Sequence, residues 1–210
     1  MLRARHLLIL AAALAAGACQ KEQPPEPGMT GPHPRVVLET SLGRIVLELD
    51  RAKAPQTVDN VIPHVNRHFY DGLIVDQVIK GNMIRTGQYL PDGTERRTSA
   101  PPVPPEADNG LKNVRGSVAL SRHLEPESGT VQFFINAADN PRFDFTDKSV
   151  QGWGFTVFGK VVEGMDVVDR IAATPTLPNG VPVTPVVIKR AYVDTTAAAP
   201  AAPAAPAKEG

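Results

Sequence analysis

The chain has 210 residues, 21% of them charged, and 22 Lys and Arg balance 22 Asp and Glu, so the formal net charge is zero. That balance gives no electrostatic reason to bind nucleic acid or an acidic polymer. The single cysteine excludes an intrachain disulfide and a zinc site built from several thiolates. A hydrophobic fraction of 42% is enough for one ordinary domain with extensions at its ends.

Residues 1–18 read as an export signal. Arg3 and Arg5 make a basic start, and Leu7 to Ala16 is an apolar run too short to span a membrane stably. The run closes on Ala16-Gly17-Ala18-Cys19. A small-x-small ending suits ordinary signal peptidase. A cysteine straight after small residues resembles the bacterial lipobox, in which the thiol is lipidated and becomes the new N-terminus. A lone cysteine at this one place favours the second reading, so Cys19 is the expected lipidation site. Gln20 follows it rather than Asp. In lipoproteins of the enterobacterial type that pattern implies a periplasmic protein held at the outer membrane, touching the membrane through its anchor alone. Residues 19–34, with Pro24, Pro25, Pro27, Pro32 and Pro34, form an extended tether. Residues 197–210 repeat Ala and Pro, have nothing large to bury, and are expected to be disordered. The folded domain is then 35–196.

Within it, Arg35 to Thr40 and Arg44 to Leu49 are two short β-rich runs around the turn Ser41-Leu42-Gly43, a hairpin pattern. Pro55 stands where a helix can begin. Val58, Val61, Ile62, Val65 and Phe69 recur at helical spacing, and Pro63 inside that stripe predicts a kink. Leu73 to Ile79 and Met83 to Thr86 read as strands around Lys80-Gly81. Pro91 to Asn109 is a long surface loop. Val114 to Ser121, Thr130 to Asn136 and Phe155 to Val162 are further strands. Gly164 to Ala173 is a helix with Met165, Val168 and Ile171 on one face, and Val183 to Asp194 is a last strand. Many short strands and only two helices predict a mainly β fold, a closed or nearly closed antiparallel barrel without exposed edges.

Four stretches carry a family resemblance. They are Glu106-Ala-Asp-Asn-Gly-Leu, Arg115-Gly-Ser-Val-Ala-Leu, Val131-Gln-Phe-Phe-Ile-Asn and Val157-Phe-Gly-Lys-Val-Val-Glu-Gly-Met-Asp-Val-Val-Asp. In order and spacing they resemble the cyclophilin-type peptidyl-prolyl cis-trans isomerases, especially their periplasmic bacterial branch, over essentially all of Arg35 to Asp194. The resemblance implies an eight-stranded closed antiparallel barrel capped by two helices. It also implies rotation about the bond before proline, whose barrier is about 20 kcal/mol. No cofactor and no metal are implied. Such an enzyme binds the twisted amide more tightly than the planar one, with an apolar grip on the proline ring and a donor aimed at the proline nitrogen.

Carried over residue by residue, the resemblance makes Phe134 the floor of the proline pocket. Met83 and Phe143 become its walls, and Gln132 the amide that contacts substrate backbone. Leu120, Ser121 and Arg122 fall on the strand that pairs with the peptide. Phe155 stands where the family has His or Tyr. Arg142 stands where it often has Trp or Phe, which argues against strong cyclosporin binding. The departures gather in Val75-Asp-Gln-Val-Ile-Lys-Gly-Asn-Met-Ile-Arg-Thr-Gly, against the family's Phe-His-Arg-Val-Ile-Pro-Gly-Phe-Met-Ile-Gln-Gly-Gly. Gln77 replaces the catalytic arginine, Arg85 replaces the glutamine that braces it, and Asn82 replaces a pocket phenylalanine. Gln77, Met83 and Arg85 share parity. The expectation is therefore that Arg85 delivers its guanidinium to the same region from the neighbouring strand, with Gln77 as its brace.

His64 and His68 have helical metal-ligand spacing but no third partner with a claim, so surface or helix-end roles are expected. His123 and Glu95-Arg96-Arg97 read as solvated loop residues. Two functions remain open. One is an isomerase, expected to be monomeric, that acts on proline-containing segments of exported proteins. The other is a tethered chaperone or adaptor that binds such segments without turning them over.

Overall fold

The computed structural model describes residues 31–196. The expected signal segment, Cys19, most of the tether and the C-terminal tail lie outside the described residues. The described end of the tether is not free of the domain. Leu49 N–H donates to the Pro34 carbonyl (2.9 Å), Arg51 N–H to the Pro32 carbonyl (2.9 Å), and the Arg51 side chain to the Gly31 carbonyl (2.8 Å), so residues 31–34 lie against the end of a strand.

Eight strands make one sheet: β1 (Arg35–Thr40), β2 (Gly43–Leu49), β3 (Val75–Ile79), β4 (Met83–Thr86), β5 (Ser117–Leu120), β6 (Phe133–Asn136), β7 (Val157–Glu163) and β8 (Ile188–Val193). Their order is β3-β4-β6-β5-β7-β2-β1-β8, and every neighbouring pair is antiparallel. The sheet curls into a half-barrel rather than the expected closed barrel. Its end strands β3 and β8 share no ladder. The seam holds one isolated bridge, Ile74 with Val187, and single hydrogen bonds such as Val75 N–H to the Val186 carbonyl (2.8 Å). The residues before β8 include Pro182 and Pro185, which cannot donate to a ladder. That shortens the predicted last strand and leaves the barrel unsealed.

Two helices accompany the sheet, α1 (Pro55–Asn66) beside β8 and α2 (Met165–Ala172) beside β2, β3 and β4. They bury Val58, Val61, Ile62 and Val65 from α1, and Val167, Val168 and Ile171 from α2, against Val36, Leu38, Ile45, Leu47, Phe133, Ile135 and Phe158 of the sheet. Met165, predicted on the buried face of α2, is only partly buried, and Val167 takes its place in the core. Helix α1 runs on through Pro63. Pro63 has no N–H to give the Asp59 carbonyl, and both residues lie on the exposed side of the helix.

The four motifs have physical roles. The residue before α1 is Ala54, which has no side chain able to cap, and Glu106 caps the helix from 49 residues away. Its carboxylate accepts from Gln56 N–H (3.0 Å), Thr57 N–H (2.9 Å) and the Thr57 hydroxyl (2.7 Å). Negative charge at that end also opposes the helix dipole favourably. Arg115 reaches Asp169 of α2 with both terminal nitrogens (2.8 and 2.7 Å), joining the second motif to the fourth. Gly164 opens α2 at φ 85°, and a side chain there would collide with the Arg44 carbonyl. Replacing Glu106 by Ala is expected to lower the unfolding free energy by about 2 kcal/mol in urea titrations. An unchanged midpoint would mean that Glu106 does not cap the helix.

Candidate functional site

Directly opposed residues of antiparallel strands share a face. The register therefore draws one line across the outside of the sheet. Gln77 opposes Arg85, Arg85 opposes Phe134, Phe134 opposes Ala119, and Ala119 opposes Val157. Met83, two residues before Arg85, lies on the same face. Met83, Ala119, Phe134 and Val157 form a second apolar cluster, separate from the main core, with Leu111, Phe143 and Phe155 packed at its rim. Phe134, Phe143 and Phe155 meet edge to face in all three pairings, with centroids 5.7, 5.3 and 5.1 Å apart. Four residues expected to hold the proline ring, Met83, Phe134, Phe143 and Phe155, thus come together. Ala119 and Val157 belong with them and were not anticipated, because small and aliphatic residues in strands read simply as core; Leu111 joins them from the loop before β5.

The charged side of the site differs from expectation. Strand β3 carries a bulge: Val75 opposes Thr86 and Gln77 opposes Arg85, leaving Asp76 as the extra residue. Its side chain, 4% exposed, takes Arg85 Nε (3.0 Å) and Nη2 (2.8 Å) on one oxygen, Oδ2. Gln132 Nε2 donates to the same oxygen at 3.2 Å. The brace of Arg85 is Asp76, not Gln77. Gln77 lies under the 176–183 turn, close to Gly180, whose carbonyl accepts from Val78 N–H (2.8 Å). The other oxygen of Asp76, Oδ1, is buried without a hydrogen-bond partner. Burial pushes the Asp76 carboxyl above its ordinary value, a rise that the Arg85 charge and the hydrogen bonds only partly offset.

Asn82 does not line the apolar cluster. Its amide donates to Asn140 Oδ1, and Asn140 Nδ2 returns a bond to the Asn82 carbonyl (3.1 Å). From there a buried asparagine ladder runs inward. Asn140 Nδ2 donates to Asn136 Oδ1 (2.6 Å), and Asn136 Nδ2 to Asn113 Oδ1 (3.2 Å) and Ser117 Oγ (2.8 Å). Asn113 Nδ2 donates to the Phe143 carbonyl (2.9 Å). Asn82 thus acts on the site at one remove, through the segment that carries Phe143.

The remaining expected residues divide. The Leu120 side chain faces the main core, and its N–H is given to the Thr156 carbonyl (2.9 Å). Ser121 is buried, and its N–H donates to the Gln132 carbonyl (2.8 Å). Arg122 folds back over Phe155, 5.1 Å from its centroid, and donates to the carbonyls of Gly154 (2.8 Å), His123 (2.9 Å) and Leu124 (2.7 Å). It ties two loops together at the rim. Arg142 lies over Phe143 at 5.0 Å. His64 lies in the last turn of α1, the helix-end place expected of it, but is buried between the Asn60 carbonyl and the Thr98 hydroxyl (both 2.7 Å).

Set against known proteins, residues 35–193 match the family described as cyclophilin type peptidyl-prolyl cis-trans isomerase. A peptidyl-prolyl cis-trans isomerase of Streptomyces antibioticus is 48% identical over 162 residues, 75% of this chain and 97% of that protein. Peptidyl-prolyl cis-trans isomerase A of Dickeya dadantii is 42% identical over 189 residues, 88% of this chain and 96% of that one. Among solved structures, a Cryptosporidium parvum cyclophilin matches with a TM-score of 0.65 at 22% identity, covering 77% of this chain and 98% of that chain. A second structure of that protein, determined in the presence of the dipeptide Ala-Pro, matches with a TM-score of 0.64, also at 22% identity, over 76% of this chain and 98% of that chain. These two establish likeness of fold. The chain belongs to the cyclophilin-type peptidyl-prolyl cis-trans isomerase family.

Proposed function

We propose that this protein isomerises Xaa-Pro bonds in exported polypeptides, with Arg85 as the residue that touches the twisting amide. The observation that carries this reading is the adjacency of Arg85 and Phe134 across β4 and β6. It sets a fixed guanidinium beside an apolar aromatic cluster. Arginine has five N–H groups. Asp76 takes two of them, which leaves three for a substrate, and the Arg85 side chain is 28% exposed. The proline ring packs on Phe134, Met83 and Phe143, while the guanidinium stabilises the proline nitrogen or the carbonyl before it once conjugation is lost. A full charge in a half-buried site makes that bond stronger than a neutral amide would.

The second reading, a proline-binding chaperone or adaptor without turnover, is favoured by the position of Gln77. Its side chain packs close to Gly180 of the 176–183 turn, and a neutral amide at the family's catalytic position lacks the charge of the arginine it replaces. The experiment is the isomerisation rate of an Ala-Pro test peptide. The wild type is expected to accelerate it, and Arg85→Ala to lower kcat/KM by about 100-fold. An unchanged rate in the variant removes Arg85 from the reaction. Peptide binding without acceleration in the wild type establishes the second reading.

Export and anchoring complete the proposal. The Ala-Gly-Ala-Cys ending of the N-terminal apolar run supports lipidation of Cys19 and a periplasmic site at the outer membrane. Cys19→Ser is expected to move the protein from the membrane fraction to the soluble periplasmic fraction. A variant that stays with the membrane, or a wild type recovered in the soluble fraction, contradicts the anchor.

A further inference from the structure

The arrangement of Asp76 goes beyond the family pattern, where that strand position is not a carboxylate. It rests on the reading of Arg85 given above. We infer that Asp76 is the positioning residue of this enzyme and that its protonation state sets the acid limit of activity by holding or releasing Arg85.

Geometry carries this. The two oxygens of Asp76 are unequal. Oδ2 receives three donors, from Arg85 Nε, Arg85 Nη2 and Gln132 Nε2. Oδ1, equally buried, receives none. A buried carboxylate oxygen with no donor costs more free energy while it is charged than after it takes a proton. Oδ1 is therefore where a proton binds, and burial raises its affinity for one. Once protonated, Asp76 is neutral. The two bonds from Arg85 lose the carboxylate's charge and weaken, and the guanidinium is held less firmly to the bulge beside Phe134.

The surroundings make Asp76 the group that governs this step. From β4 the charge facing it is Arg85. From the segment leading into β6 comes Gln132, which is neutral. The turn over β3, residues 176–183, has no titratable side chain. The sign on stability is opposite to the sign on activity. A carboxyl whose folded-state value is raised favours the fold at low pH, and that contribution is lost as pH rises through the raised value. Acid therefore disables the site without any unfolding contributed by Asp76.

The experiment is the pH profile of kcat/KM on an Ala-Pro peptide for the wild type and Asp76→Asn. In parallel, the Nε–H resonance of Arg85 is followed by NMR in the wild type. The wild-type rate is expected to fall from neutrality through a midpoint above the ordinary aspartate value of about 3.9, with near-UV circular dichroism unchanged. The Arg85 resonance is expected to shift with the same midpoint. Asp76→Asn is expected to lose at least about 10-fold at neutrality and to lose the acid limb. A variant that keeps the wild-type rate and the same limb overturns the inference. So does an Arg85 resonance that does not titrate where the rate falls, a readout that stands even if Asp76→Asn does not fold. If the wild type shows no isomerisation while the Arg85 resonance still follows Asp76, the isomerase reading fails and the linkage stands. A flat resonance in that case sinks both.

Discussion

Both faces of the central strands are covered, and that constraint governs the rest of the molecule. Every residue of β5 and β6 is buried, and β4 departs from this only at Arg85. One face packs on the helices through Val118, Phe133, Ile135 and Ile84, and the other supports the cluster of Met83, Phe134, Ala119 and Val157. A sheet buried on both sides cannot give its second face to water. It must end either in more apolar packing or in polar groups that are fully held. The site occupies the place where one gives way to the other, as Phe134 passes to Arg85 and Arg85 to Asp76.

Polar groups at such a border are held by networks. The asparagine ladder from Asn82 through Asn140 and Asn136 to Asn113 helps to fix the segment bearing Phe143, together with backbone bonds such as Asn140 N–H to the Asn113 carbonyl. The ion pair of Asp76 with Arg85 is nearly closed to water on the carboxylate side. Buried pairs of this kind contribute little net stability, because desolvation offsets the attraction. What they provide is direction: a guanidinium bonded through two nitrogens has one orientation. In a reaction driven by differential binding of a twisted amide, orientation is the useful quantity.

The sequence displayed much of this fold and only part of the site. The β1–β2 hairpin, the two helices and the aromatic residues of the outer cluster followed from hydrophobic period, turn residues and the family motifs. Three features did not. The barrel's open seam depends on Pro182 and Pro185 just before β8, whose missing donors a count of hydrophobic residues does not register. Glu106 caps a helix 49 residues away, a distance that no local pattern encodes. The bulge in β3 adds one residue, Asp76, beside the Gln77–Arg85 pair, so that its carboxylate rather than the Gln77 amide holds Arg85. A carboxylate between Val75 and Gln77, on the strand paired with that of Arg85, was the available signal, and strict period-two counting concealed it.

The central claim is that the guanidinium acting on the prolyl bond is delivered from β4. A crystal structure of the domain with an Ala-Pro peptide bound tests it most directly. The account expects the proline ring on Phe134, between Met83 and Phe143, with Arg85 still bonded to Asp76 and a remaining N–H within hydrogen-bond distance of the prolyl peptide group. A peptide seated there but contacted by Gln77, with Arg85 turned away, would contradict it.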